Sequence, residues 1–229
     1  MTTFGVIQFP GSCDERDALA ACERVGAGRL VWHEETDLSD LDAIVVPGGF
    51  SYGDYLRAGA IARFAPAMAA VAELAREGMP VLGICNGFQV LCEAGLLPGA
   101  LLPNAGLRFV CRQVEVEVMA GGGAWTAGLE AGDRLQVPVK HAWGRYFAPA
   151  EQLAELRRRG QIALRYAPSQ NPNGSLQDIA GVTNEAGNVL GLMPHPEHAV
   201  DSLTGSADGL RLFAAVAERA AETAPAAAA

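Results

Sequence analysis

Hydrophobic residues gather in short, nearly unbroken runs along the first half of the chain, at residues 4–9, 30–32, 43–46 and 79–84. Runs of this length suit strands buried on both faces of a parallel sheet. Helical signals separate them. After the first run come a Pro10-Gly11 turn, then Ser12 and Glu15 at capping-box spacing, and Gly26 as the stop. Residues 57–77 form a long alanine-rich helical stretch that breaks or restarts at Pro66. Further on, Phe88, Leu91 and Ala94 share a helical face that Gly95 can end. The order strand, helix, strand, strand, helix, strand, helix predicts an α/β fold, an open, mostly parallel, doubly wound sheet with helices on both faces.

Beyond Gly95 the pattern changes. Val114, Val116 and Val118 alternate with Glu115 and Glu117, and Leu135, Val137 and Val139 alternate with Gln136 and Pro138. Such alternation predicts half-exposed strands, an antiparallel extension of the sheet. Gly121-Gly122-Gly123 between them reads as a flexible turn. A short helix over 149–159 precedes strands at 162–166, 179–183 and 189–193, with Glu185-Ala186-Gly187 turning the last pair. Ser206 is placed to cap a final helix running to about residue 220. With no repeat and no linker, the pattern predicts one domain over 4–220 and a frayed, alanine-rich tail at 221–229.

Composition narrows the function. Of 229 residues, half are hydrophobic and 19% charged, an ordinary globular balance. A net charge of −9 argues against a nucleic-acid partner, which needs a basic face. No apolar run approaches the ~18 residues of a membrane helix, and the Met-Thr-Thr start lacks a basic leader, so no membrane association and a cytoplasmic location are expected. The five cysteines are odd in number and contain no C-x-x-C pair, which indicates neither a disulfide framework nor a zinc knuckle. No G-x-x-x-x-G-K-[ST] cradle is present, so no nucleotide cofactor is expected in this chain.

The candidate chemistry centres on Gly83-Ile84-Cys85-Asn86-Gly87, where a buried strand gives way to a helix. Glycines on either side leave room for a sharp turn, with the Cys85 sulfur exposed above the sheet and the next N–H free to bind an oxyanion. Cys85 thus reads as a nucleophile at a helix N-terminus, where the dipole favours the thiolate. The competing reading is a buried core cysteine. The loop Pro47-Gly48-Gly49-Phe50-Ser51-Tyr52-Gly53-Asp54 follows another strand, at the sheet edge where doubly wound folds bind ligands. Late in the chain, Pro196 favours an extended His195, which puts Glu197 two residues on at the same face. His195 can then move a proton for Cys85 while Glu197 orients the imidazole. His195 and His198 lack a recognised metal-ligand spacing, so no metal is expected. His33 and His141 show no clear partners and read as structural.

These motifs resemble the class I glutamine amidotransferases, which carry a G-x-C-x-G-x-Q elbow and a late H-P-E or H-x-E. The similarity spans residues 4–213 and includes Gly83-Ile84-Cys85-Asn86-Gly87-Phe88-Gln89, the loop at 47–54, Asn171-Pro172-Asn173-Gly174-Ser175 and Met193-Pro194-His195-Pro196-Glu197. It is strongest to members that act as the glutaminase subunit of a purine-biosynthetic synthase. The resemblance implies a flavodoxin-like core and a triad of Cys85, His195 and Glu197. It also implies an oxyanion hole from the N–H groups of Gly49 and Asn86, and glutamine held near Phe50 and Gln89. Implied too are hydrolysis of glutamine through a thioester and ammonia delivery to a large synthetase of the PurL type. That partner would carry ATP and Mg and convert formylglycinamide ribonucleotide to its amidine, with a small third subunit of the PurS type. The chain departs from the family at His141-Ala142-Trp143-Gly144, where His-Gly-Glu-Gly is frequent, at His198 in place of arginine, and at Cys13 in place of asparagine. Two rivals share the elbow: a DJ-1-type cysteine hydrolase or chaperone, against which the late His-x-Glu counts, and a non-catalytic scaffold.

Overall fold

The buried apolar runs become the middle of one large sheet. The computed structural model of the chain describes residues 1–119 and 121–223. In order, its elements are β1 (Thr3–Gln8), α1 (Glu15–Glu23), β2 (Ala27–Trp32), β3 (Ala43–Val46), α2 (Pro66–Arg76), β4 (Val81–Ile84) and α3 (Asn86–Glu93). Then follow β5 (Ala100–Leu102), β6 (Val110–Val118), β7 (Arg134–His141), β8 (Arg145–Phe147), α4 (Ala150–Arg158), β9 (Ile162–Tyr166), β10 (Ile179–Thr183), β11 (Val189–Leu192) and α5 (Leu210–Thr223).

Among the described residues the main sheet runs β2-β1-β3-β4-β11-β10-β9-β6-β7. The first five strands are parallel neighbours, and every pairing from β11 to β7 is antiparallel. The parallel strands β3, β4 and β11 are buried throughout, as their unbroken apolar runs require. In the extension, Val114, Val116, Leu135, Val137 and Val139 point inward, while Glu115 and Arg134 pair on the open face. β2 lies on one side of β1 and β3 on the other, so right-handed crossovers send successive helices to opposite faces. A crevice opens where the order reverses, at the carboxyl ends of β1 and β3. The loops that leave those two ends, residues 9–14 and 47–54, therefore meet there.

Several local expectations give way to closer constraints. Ser12 does not cap a helix: its Oγ accepts from the Phe9 N–H at 2.9 Å and closes the Pro10-Gly11 turn, and α1 begins later with Asp14 at its N-cap. In the stretch at 57–77 the restart at Pro66 is where α2 begins, but the residues before it are not an α-helix. Gly59 has φ +80° because it lies flush on α3, where a β-carbon would sit 2.7 Å from the Val90 nitrogen; only a short 3-10 turn at Ala62–Phe64 precedes α2, which starts at Pro66. Ser206 accepts from the Asp208 N–H, and α5 begins at Leu210 and reaches Thr223. The rest of the tail expected to fray, residues 224–229, lies outside the described residues. β5 and β8, unmarked in the sequence, pair as a separate two-stranded ribbon.

The segment after the three glycines is anchored. Trp125 is 1% exposed and packs against Phe4 and Phe213, with ring centroids 6.5 and 6.2 Å away. Replacement of Trp125 by alanine is expected to cost about 3–5 kcal/mol in urea unfolding, as for a core aromatic. A loss under about 0.5 kcal/mol would identify the segment as the surface turn its glycines suggested.

Candidate active site

Cys85 follows β4, at the N-cap of α3, and takes φ 51° and ψ −102°, a backbone conformation that L-residues avoid. The surroundings enforce it. A β-carbon on Gly87 would lie 1.9 Å from the Val46 carbonyl oxygen, so α3 can approach β3 this closely only through glycine. The Cys85 N–H donates to the Leu192 carbonyl at 2.8 Å, which ties the elbow to β11. The sulfur contacts the Lys140 carbonyl oxygen at 3.9 Å.

His195 follows β11, and its N–H donates to the Pro138 carbonyl at 2.8 Å, fixing it against β7. Residues Pro196–His198 form a 3-10 turn, so Glu197 reaches the imidazole by turning back and not along an extended strand as the proline spacing suggested. Nδ1 of His195 bonds Glu197 Oε1 at 2.6 Å, and both side chains are buried. The other ring nitrogen, Nε2, has no formed hydrogen bond. Burial alone would lower the pKa of His195; the charges of Glu197 and Cys85 outweigh it and hold the imidazole above its ordinary range.

The glycine-rich loop is stapled to the elbow by one side chain. Asn86 Oδ1 accepts from the N–H and hydroxyl of Ser51, and its Nδ2 donates to Asp54 Oδ1 at 3.0 Å and to Gln89 Oε1 at 2.9 Å. Gly49 has φ +147° and lines the cleft beside Phe50, Cys85 and His195. The N–H of Asn86 opens α3, where helix geometry supplies no acceptor. Gln89 reaches the cleft wall, but its amide is engaged by Asn86 and by the Trp143 carbonyl. The cleft encloses about 100 Å³, room for a small side chain and well short of the roughly 300 Å³ or more of sites for larger ligands.

The opposite wall is the His141-Ala142-Trp143-Gly144 loop, and the Asn-Pro-Asn-Gly-Ser motif supports it. Asn173 Nδ2 donates to the Gly144 carbonyl at 2.8 Å, and Ser175 Oγ accepts from the Tyr146 N–H at 3.0 Å. His141 has a partner after all: Asn104 Nδ2 donates to the carbonyls of Arg108 and His141, which leaves Oδ1 to accept from His141 Nδ1 at 3.1 Å. Burial, aided by the charge of His195, holds the His141 pKa down to about 4, so the ring is neutral. His33 likewise bonds the Tyr52 hydroxyl at 2.7 Å.

Sequence reasoning missed two charged residues. Asp14 projects from the loop after β1 and bonds the ammonium of Lys140, on β7, and His198 Nε2 at 3.3 Å. Asp14 lies between Ser12 and Glu15, inside a helix-start signal, and Lys140 follows directly on the alternating run that ends at Val139. Asp14, His195, Glu197 and His198 bring four ligand atoms within 4.8 Å of one another. Those atoms already bond each other and the Lys140 ammonium, so the group is a charge network and carries no metal assignment.

The chain belongs to the CobB/CobQ-like glutamine amidotransferase domain family, which matches residues 3–212. Within it, the chain is 57% identical over 214 residues to phosphoribosylformylglycinamidine synthase subunit PurQ of Frankia casuarinae, covering 93% of this chain and 91% of that one. It is 59% identical to the PurQ subunit of Mycolicibacterium paratuberculosis, over 93% and 95% of the two chains. Among solved structures it superposes on a chain of PurLQS from Thermotoga maritima with a TM-score of 0.88 and 40% identity, over 96% and 99% of the two chains.

Because the folded state raises the pKa of His195, this residue adds stability in full below the ordinary histidine range, and the contribution is lost as pH rises through the raised value. Glu197→Gln is expected to lower the pH at which the His195 ring signals titrate by NMR and to flatten that part of the stability profile. Unchanged titration would mean that Glu197 does not hold the imidazolium.

Proposed function

We propose that this chain is the glutaminase subunit of a phosphoribosylformylglycinamidine synthase, with Cys85, His195 and Glu197 as its catalytic triad. The observation that carries the reading is the buried His195–Glu197 pair set against Cys85 at a strained strand-to-helix elbow. The Cys85 sulfur adds to the side-chain amide carbon of glutamine, and the carbonyl electrons move onto oxygen, toward the N–H groups of Gly49 and Asn86. His195 passes its Nε2 proton to the amide nitrogen as the C–N bond breaks. Ammonia leaves and a γ-glutamyl thioester remains. Neutral His195 then takes a proton from water, the hydroxide adds to the thioester, the C–S bond breaks, and glutamate departs. Throughout, Glu197 holds the Nδ1 proton and with it the ring orientation. Phe50 and Gln89 complete the walls against which glutamine lies.

Ammonia is consumed, on this reading, by a synthetase partner of the PurL type that holds ATP and Mg, with a small third subunit of the PurS type. A single catalytic domain over 4–220 and a cytoplasmic setting belong to the same reading, supported by one continuous main sheet and by five free cysteines.

Cys85→Ala is expected to abolish glutamine-dependent amidine synthesis in the reconstituted complex and to leave ammonia-dependent synthesis within about twofold of wild type, because only the ammonia source is removed. Loss of both activities together would place Cys85 in the shared machinery or the fold. A diazo-ketone analogue of glutamine should add one equivalent to the intact chain and none to the variant.

A further inference from the structure

Asp14 occupies the N-cap of α1, where a carboxylate ordinarily accepts from the first helical N–H groups, yet it makes no capping bond. It turns inward instead. Its side chain is 6% exposed and holds Lys140, 31% exposed, by a direct ion pair. One oxygen also takes His198 Nε2 at 3.3 Å, and the other lies 3.7 Å from His195 Nδ1. Lys140 therefore has a fixed place, on the wall of the cleft that also holds Cys85. Asp14, Lys140, Cys85 and His195 all line one cleft, and the Lys140 side chain faces the sulfur's charge there, whereas its backbone carbonyl accepts from the Cys85 thiol at 3.9 Å and favours the protonated form.

Charge arithmetic shows why a second cation is needed. Asp14 and Glu197 are carboxylates, and an ionised Cys85 adds a third negative charge in the same small volume. The His195 imidazolium alone balances one of the three; Lys140 balances another. Burial would lower the pKa of Lys140, but Asp14, Glu197 and Cys85 outweigh it and keep the ammonium charged. Of the other titratable groups on the cleft, His141 is neutral, and Cys13 and Asp54 can carry only negative charge; His198 pairs with Asp14 at 3.3 Å but lies outside the cleft lining.

We propose that Lys140 is a second positive charge that, with His195, keeps the Cys85 sulfur anionic, and that Asp14 is the positioning residue that clamps Lys140 there. The inference rests on Cys85 being the nucleophile, and its test does not depend on glutamine turnover. The rate of Cys85 alkylation by iodoacetamide is followed from pH 5 to 9 on the full chain by peptide mass mapping, with glutathione in the same vessel as reference. Lys140→Met is expected to slow alkylation at pH 7 by about 3- to 10-fold and move the profile to higher pH, a modest effect because Lys140 is partly solvated. Lys140→Arg should restore the rate to within about twofold. Asp14→Asn separates clamp from charge: loss of an anion alone would speed alkylation, whereas loss of the clamp slows it. Thermal unfolding checks each variant, and Lys140→Gln replaces Lys140→Met in the same assay if the latter does not fold. A Lys140→Met profile that superimposes on wild type overturns the role of Lys140, and faster alkylation of Asp14→Asn overturns the clamp. A wild-type Cys85 that reacts no faster than glutathione at any pH overturns the nucleophile reading and this inference with it.

Discussion

The contact between α3 and the end of β3 sets the rest of the site. With Gly87 against the Val46 carbonyl, the helix starts so close to the sheet that the residue before it has no ordinary backbone conformation available. Cys85 absorbs the strain, at a cost of about 1–3 kcal/mol. The buried β3, β4 and β11 on either side hold the elbow rigid enough to sustain that cost. Once the elbow is fixed, Asn86 is fixed too, and through Ser51 and Asp54 it determines where the glycine-rich loop lies. Backbone sterics at one glycine thus reach both sides of the cleft.

The antiparallel half of the sheet serves the same centre from the other direction. His195 hangs from Pro138, Lys140 leaves the same strand two positions on, and His141 sits at its end. Two halves with different strand directions therefore share one charge cluster, the parallel half contributing the sulfur and Asp14, the extension contributing Lys140. Neither half contains a complete site.

How much of this could be read from sequence depended on whether a signal was local. Unbroken apolar runs located β1, β3 and β4, and valine alternation located β6 and β7, because burial on two faces or one leaves a direct trace in residue order. Cys85 stood out because glycine spacing dictates backbone shape, whereas the prolines marked His195 and Glu197 as a pair without revealing the 3-10 turn that joins them. Helix starts were less legible: Ser12 and Ser206 have capping chemistry but close turns instead, and only the tertiary approach of Gly59 to α3 explains why no helix forms there. Asp14 and Lys140 lie 126 positions apart, and no local pattern records their pairing. The Asn171–Ser175 motif was conspicuous, but its use, bracing the loop that carries Trp143, needed the fold to be seen.

The staple formed by Asn86 also bears on how long the protein lasts. An asparagine followed by glycine is chemically fragile in a mobile chain, because the glycine nitrogen can attack the side-chain amide, close an imide ring and leave aspartate or isoaspartate behind. Asparagine is correspondingly scarce in proteins that must survive heat. Here Asn86-Gly87 begins a helix, both ends of the Asn86 amide are bonded, and the residue is 1% exposed. Ring closure needs an arrangement the folded backbone forbids, so this step ages only when the elbow opens. Ageing at Asn86 is thereby coupled to opening of the elbow, and the chain's other Asn-Gly pair, Asn173-Gly174, is guarded in the same way, with both ends of the Asn173 amide bonded.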